Sequence, residues 1–385
     1  MKKLRFLLIL SLSCLYGIKN HPTNLVISRI VNTPVTYPIR FVFLGDSRKS
    51  FNSWAPDADS IFKIAREQID RLHPLFVVHG GDFVQHGYRN EYFHFVATID
   101  SSETNFLTVR GNHELYADEG PFMYDSIFGN PDYSFDYGGF RFIVLADCQQ
   151  DSDTNQYGHY INYLVSTEQL EWLDSLLADA RSRGLISFVF AHVPPYQPGH
   201  DTTYCLGYSY YRPYPNYARS HTRQFTDMLA SYQVPIAFFS HHHFYDRHEY
   251  QGVWYVISGG AGAPLYGSLS PPPYGCSCYH FILFELDSSG IIRAKFYRIG
   301  EENPDTFYNF TVVPTSIEEK CELDKSMLAL MVKSGESFRW SGSIYTINGR
   351  RVISTDKILR VFIKKPGIYF GVSQGRVQKI IVIPK

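Results

Sequence analysis

Phe41-Val42-Phe43-Leu44-Gly45-Asp46 and Leu75-Phe76-Val77-Val78-His79-Gly80-Gly81-Asp82 carry the same pattern twice. Each is a short run of aromatic and aliphatic residues that stops at glycine and then aspartate. Four consecutive apolar residues bounded by turn signals suit a strand covered on both faces. Runs of this kind recur at Phe142-Ile143-Val144-Leu145, Phe188-Val189-Phe190 and Ile236-Ala237-Phe238-Phe239. Amphipathic stretches lie between them. Ile61, Ile64, Ala65, Ile69 and Leu72 mark one helix, and Ser166-Thr167-Glu168-Gln169 is a capping box that opens a second. The second carries Leu170, Leu173, Leu176, Leu177 and Ala180 on one face, with Gly184 where its C-terminal cap belongs. A third, with Phe225, Met228, Leu229 and Tyr232, leads into Ile236. Strands alternating with helices specify an α/β fold.

Polar residues fall where the apolar runs stop. Asp46 follows Leu44, Asp82 follows Val78, and Asn112 and His113 follow Phe106-Leu107-Thr108-Val109. His192 follows Phe190, and His241 and His243 follow Phe239. Open α/β sheets bind ligands beyond the carboxyl ends of their strands, so these side chains are expected to converge. Two Asp, one Asn and three His form a donor mixture suited to borderline divalent ions such as Mn, Fe and Zn. Each residue alone has an ordinary explanation: Gly-Asp is a turn, His241-His242-His243 a solvated loop, His192 a satisfied core histidine. Their joint occurrence, each after its own strand, argues for a metal centre.

Gly45-Asp46-Ser47-Arg48, Gly81-Asp82-x4-Gly87, Gly111-Asn112-His113-Glu114, His192 with Pro194, and His241-x-His243 resemble the five motifs of the calcineurin-like metallophosphoesterases. Gly252–Pro264 is similar to bacterial members close to purple acid phosphatases. The likeness spans about residues 38–300. It implies a four-layer α/β/β/α sandwich around two divalent metal ions and a hydrolase acting on phosphoric esters. Asp82 would bridge the ions, Asp46 and His243 would bind the first, and Asn112, His192 and His241 the second. Two ions roughly 3.5–4 Å apart activate a shared water as hydroxide and neutralise the phosphoryl oxygens, without a covalent intermediate. His113 resembles the family's non-ligand histidine, which implies protonation of the leaving alkoxide. Orienting Asn112 or Asp82 is its alternative role.

The chain departs from the family at its first motif, usually Asp-x-His, where it has Arg48. A guanidinium stays protonated and offers a metal no lone pair. Either the first ion has one ligand fewer, or Gln85 completes its shell, standing three after Asp82 where purple acid phosphatases place a ligand tyrosine. Arg48 then clamps a substrate phosphate or serves as a structural ion-pair partner. Arg48 also favours the alternative function, a catalytically weak surface binding or adhesion protein that retains the fold. The expected substrate is a small phosphate ester. A segment from Tyr196 to His221, with Tyr204, Tyr208, Tyr210, Tyr211, Tyr214 and Tyr217, suits a lid or a stacking platform.

The remaining chain sets the context. At 385 residues the protein exceeds one domain of roughly 150. Lys+Arg at 36 against Asp+Glu at 37 leaves no basic field for nucleic acid. Lys2, Lys3 and Arg5 ahead of the apolar run Phe6–Leu12 read as a secretory signal peptide over residues 1–17, too short to span a bilayer. Cys14 gives it a resemblance to a loose lipoprotein box. The expected location is exported, at the cell surface or extracellular; periplasmic or lipid-anchored through Cys14 are the alternatives. Residues 18–37 read as a linker, 38–312 as the catalytic domain, 313–334 as a second linker, and 335–385 as a small all-β sandwich. In this last part Ile344–Val352, Pro366–Phe370 and Gln378–Ile383 resemble the type A sorting domain of the type IX secretion system, which implies export machinery as a partner. One disulfide is expected among Cys205, Cys276 and Cys278, all in loop-like sequence.

Overall fold

The computed structural model describes residues 21–49, 57–156, 158–198, 202, 204–207, 217–268 and 270–314, and strand segments between 330 and 383. The signal peptide with Cys14, residues 315–329 of the second linker and the tyrosines from Tyr208 to Tyr214 lie outside the described residues, and the last part of that linker is a strand, Leu330–Lys333. The elements are α1 (Thr23–Val31), β1 (Ile39–Leu44), α2 (Ala58–Leu72), β2 (Phe76–His79), α3 (Arg89–Asp100), β3 (Asn105–Thr108), α4 (Gly120–Ile127), β4 (Tyr133–Tyr137) and β5 (Phe140–Val144). They continue with β6 (Cys148–Asn155), β7 (Gly158–Tyr163), α5 (Thr167–Ser182), β8 (Ile186–Phe190), α6 (Tyr217–Ser231), β9 (Ile236–Phe239), β10 (Tyr245–Tyr250) and β11 (Val253–Ser258). Then come β12 (Gly275–Cys276), β13 (His280–Leu286), β14 (Ile292–Arg298) and β15 (Phe310–Val312).

Two sheets result. In one, β1 pairs in parallel with β2 and β2 with β3, while β13 and β14 lie beyond β1 on the other side. The other runs β12–β10–β11–β9–β8–β5–β4, parallel from β11 to β5 and antiparallel at both edges.

Alternation along each strand explains why the inner strands are apolar throughout. Phe41 and Phe43 point toward the second sheet, their ring centroids 5.9 Å and 5.2 Å from Phe238. Phe76 meets Phe142 at 5.2 Å, and Phe284 meets Phe238 at 5.0 Å in the same aromatic layer. Val42 and Leu44, one residue out of phase, pack with Phe62, Ala65 and Ile69 of α2 and Tyr92, Phe95 and Val96 of α3. On the second sheet Val189 packs outward with Leu170, Leu173 and Leu177 of α5 and Phe225 and Leu229 of α6. Helix, sheet, sheet, helix is the four-layer order expected for an α/β/β/α sandwich. The capping box forms as read, with Gln169 N donating to Ser166 Oγ at 3.2 Å and Ser166 N to Gln169 Oε1 at 2.9 Å.

Residues 18–37 are not simply a linker. Within them α1 buries Val26 and Ile30 completely and packs on β3 and β4. Thr23 N donates to Phe128 O at 2.7 Å, and Tyr37 Oη to Gly138 O at 2.8 Å. Leu25, Val26, Ile27, Ile30 and Val31 are all apolar but only Val26 and Ile30 of them are buried, so no single apolar face stands out over nine residues. The disulfide joins Cys276 to Cys278, whereas Cys205 is buried with Sγ 3.7 Å from His242 Nε2.

A second compact unit takes in residues 310–385 with the turn at 286–293. Its strands β16 (Leu330–Lys333), β17 (Ser337–Thr346), β18 (Arg351–Phe362), β19 (Gly367–Ser373) and β20 (Arg376–Ile383) form one sheet in the order β16–β20–β19–β17–β18. All its pairs are antiparallel except β16 with β20. Among the described residues no helix is long and apolar enough to cross a membrane.

If α1 is an integral part of the fold, Ile30→Ala should lower unfolding free energy by about 2–4 kcal/mol in chemical denaturation of the full chain. A change within about 0.5 kcal/mol, the range of an ordinary surface substitution, would make α1 dispensable.

Candidate metal centre

The loops after β1 and β2 are tied together by their backbones. Asp46 N donates to Gly81 O and Arg48 N to Asp82 O, each at 3.0 Å. Asp46 (φ 60°), Asp82 (φ 56°) and His241 (φ 65°) all adopt the left-handed region. Such conformations are uncommon outside glycine and gather at functional sites. The buried carboxylate of Glu114 accepts from Asp82 N at 2.9 Å, Phe83 N at 2.9 Å, Val84 N at 3.2 Å and Gly111 N at 2.7 Å. Position 111 requires glycine, because a Cβ there would collide with Asp82 Oδ1 and lie 2.9 Å from Glu114 Oε2. Past β5, the Asp147 carboxylate accepts from His192 N at 3.1 Å and Val193 N at 2.8 Å, fixing the loop after β8.

These loops bring Asp46, Asp82, Asn112, His192, His241 and His243 together in two halves that meet at Asp82. In one half Asn112 Oδ1 lies 3.1 Å from His192 Nε2 and 3.0 Å from His241 Nδ1, and Asp82 Oδ1 is 3.3 Å from His192 Nε2. In the other, Asp46 Oδ1 lies 3.4 Å from His243 Nε2, and Asp46, Asp82 and His243 offer ligand atoms within 4.8 Å of one another. Backbone carbonyls decide which ring nitrogen faces inward. His192 Nδ1 donates to Gly80 O and His243 Nδ1 to Pro264 O, both at 2.7 Å, so each Nε2 is presented to the centre. Every one of the six side chains except His241 is buried. The half containing Asn112 supplies two oxygens and two imidazole nitrogens, a donor set that fits a divalent ion. The half containing Asp46 supplies three donors, and Asp46 Oδ1 there is buried without a hydrogen-bond partner.

Arg48 shares that second half. Its Nη2 lies 3.4 Å from His243 Nε2 and its Nε 3.7 Å from Asp82 Oδ2, while Nη1 donates to Gln85 Oε1 at 3.0 Å. Gln85 thus meets the guanidinium rather than the donor atoms. His113 Nδ1 donates to Gln85 O at 2.6 Å, leaving Nε2 on the inner side, 3.7 Å from Asp82 Oδ2.

Charge in the centre is strongly coupled. Burial raises the Asp82 carboxyl, yet His192, His113 and Arg48 around it hold it well below the usual carboxylate range. Burial lowers His192, but the Asp82 charge and hydrogen bond, with Asp46 and Asp147, push it up to about 10. Burial and the neighbouring His192 and His242 push His241 well down. Burial and the Arg48 charge bring His113 down to about 3.

Three contributors carry no assignment from sequence: Glu114, Asp147 and Tyr266, whose ring stacks on His243 with centroids 4.3 Å apart. Asp147 stands just past β5, as the other polar residues stand past their own strands, and that position was its signal. Tyr266 lies in an irregular loop that leaves no periodic trace.

Residues 39–245 match the calcineurin-like phosphoesterase family. No curated protein matches the chain. Purple acid phosphatase PPD1 from yellow lupin (Lupinus luteus) seeds superposes with a TM-score of 0.53 at 19% identity, over 71% of this chain and 53% of the lupin one. The chain therefore spans about half the length of the lupin protein. A dimetal phosphatase from Danio rerio gives 0.51 at 16% identity, over 72% of this chain and 99% of that one. GAP50, the anchor in the inner membrane complex of Plasmodium, gives 0.50 at 16% identity, over 72% and 90%. At these identities the likeness is one of fold.

A proton on His192 Nε2 and a divalent cation compete for the same ring nitrogen. Because the neighbouring carboxylates raise this histidine to about 10, the proton persists through neutral pH and must leave before a metal binds. Apparent affinity for Zn or Mn should therefore rise about tenfold per unit between pH 6 and 8, with one proton released per ion. Calorimetric titration in buffers of different ionisation enthalpy measures both, and a flat affinity across that range would refute the competition.

Proposed function

The chain belongs to the calcineurin-like phosphoesterases, hydrolases acting on phosphoric esters, and on that premise we propose that it is an exported, metal-dependent hydrolase of small phosphate esters. The observation that carries this reading is the meeting of Asp82, Asn112, His192 and His241, with Asn112 3.1 Å from His192 and 3.0 Å from His241 and Asp82 3.3 Å from His192. In the family arrangement these four would hold one divalent ion, and Asp46 and His243 would face another across Asp82. Ions so held would supply Lewis-acid activation of water and would neutralise charge on the phosphoryl group.

The chain's own residues supply position and proton control. Glu114 and Asp147 fix the loops that carry the donors, so little reorganisation accompanies substrate binding. Arg48 offers a guanidinium fork that would grip a phosphoryl oxygen. His113, held through Nδ1 by the Gln85 carbonyl, presents Nε2 for proton transfer to the leaving oxygen. With burial and Arg48 pressing His113 down to about 3, the negative charge of the bound ester must keep that proton in place.

Export rests on Lys2, Lys3, Arg5 and the apolar run Phe6–Leu12, and on the sorting-domain likeness of residues 335–385. We read residues 38–312 as the catalytic domain, delivered to the cell surface or beyond. The Arg48 guanidinium, standing where the family has a ligand histidine, favours a second reading: a surface binding protein with weak or no turnover.

Hydrolysis of aryl phosphate monoesters and diesters, after chelation and return of Mn, Fe or Zn, separates the two. Metal-restored turnover supports the enzyme; none on any substrate supports the binding protein. Asp82→Asn should lose both metal and turnover. His113→Ala should keep the metal and lose about 10²–10⁴ in turnover, less for good leaving groups that need little protonation. An equal loss for good and poor leaving groups would remove His113 from the acid role.

A further inference from the structure

Asp46 and Asp82 are 0% and 1% exposed, and a permanent cation is built in beside them. Arg48 is itself 9% exposed and held from several sides. Its backbone N donates to Asp82 O at 3.0 Å, and Nη1 donates to Gln85 Oε1 at 3.0 Å and Lys49 O at 3.2 Å. Tyr266 stacks on the neighbouring His243, ring centroids 4.3 Å apart, and closes the same side of the site. So anchored, the guanidinium reaches the atoms a metal in this half would need. His243 Nδ1 is occupied as a donor to Pro264 O, which leaves the lone pair on Nε2, and Arg48 Nη2 directs an N–H at that atom from 3.4 Å. Arg48 Nε stands 3.7 Å from Asp82 Oδ2, the carboxylate oxygen on this side. A divalent ion bound by Asp46 Oδ1, Asp82 Oδ2 and His243 Nε2 would lie against a like charge in a site with little water to screen it. The other half presents Asp82 Oδ1, Asn112 Oδ1, His192 Nε2 and His241 Nδ1, with no guanidinium among them.

We infer that Arg48 is the resident cation of the Asp46–His243 half, so that the chain loads a single divalent ion, on Asp82, Asn112, His192 and His241. The inference rests on the metal-dependent phosphoesterase reading and narrows its expected pair of ions to one. It also gives two unpartnered buried atoms of this half a use. Arg48 Nε is an open donor for a phosphoryl oxygen, and Asp46 Oδ1 an open acceptor for a water beside it. Gln85 becomes a positioning residue that holds Arg48 in place.

Metal counting on the full chain tests this without any appeal to turnover. After chelation, elemental analysis and calorimetric titration with Mn or Zn should give one ion per wild-type chain. Arg48→His, checked for native circular dichroism, should bind two. His241→Ala should lose the wild-type ion, whereas His243→Ala should keep it with affinity changed less than about threefold. Two ions in the wild type overturn the inference and leave the phosphoesterase reading standing. So does an ion that depends on His243 but not His241, or a folded Arg48→His that still binds one. No ion in the wild type overturns the metal-dependent reading itself.

Discussion

One buried carboxylate holds the site in shape. Glu114 pairs the N–H groups of Asp82, Phe83, Val84 and Gly111, so the loops after β2 and β3 share a single acceptor. Buried backbone donors must be paired, and each one orphaned costs about 1–3 kcal/mol. Remove this acceptor and four donors lose their partner at once, in the two loops that deliver Asp82, Asn112 and His113. Burial and the Asp82 charge push the Glu114 carboxyl up to about 8, while the N–H groups trained on it favour the ionised form. Its requirement for closeness is also what excludes a side chain at Gly111.

Around that fixed point the fold concentrates negative charge. Asp46 and Asp82 offer oxygens within 4.8 Å of each other at buried positions, a repulsion of at least about 3.5 kcal/mol at an effective dielectric of about 20. Cations offset it: the guanidinium of Arg48 and, at His192, either a proton or the metal that would displace it. Only a rigid frame can hold such a centre open, and the phenylalanine layer between the sheets supplies it. Phe41, Phe43, Phe190 and Phe238 are fully buried, directly beneath the strand ends that carry the donors. The same β1 residues thus explain both the core and the placement of Asp46.

Much of this was legible in the residue pattern, for physical reasons. Strands sandwiched between a second sheet and helices must be apolar on both faces, so β1, β2, β5, β8 and β9 stand out as unbroken runs. Donors at the ends of such runs stand out equally, because polar residues there have no packing explanation. Helix α1 did not, since its buried stripe is only Val26 and Ile30. Pairwise choices were also hidden. The spacing of Gln85 from Asp82 suits a metal ligand, and only the folded chain turns its side-chain carbonyl to Arg48. Glu114 stands beside the motif residues in sequence, yet three of its four backbone donors, Asp82, Phe83 and Val84, lie 30 to 32 residues away. Which nitrogen of His192 or His243 faces the centre depends on the Gly80 and Pro264 carbonyls, a choice no spacing encodes.

The central claim is that strand-end donors converge on a metal held at Asp82, Asn112, His192 and His241. Anomalous diffraction at the zinc edge from crystals of the full chain, grown with zinc and inorganic phosphate, measures it directly. The account predicts one strong peak about 2.0–2.2 Å from one atom of each of those four side chains, with phosphate between it and Arg48. A peak seated instead on Asp46 and His243, or zinc absent from both halves, would contradict it.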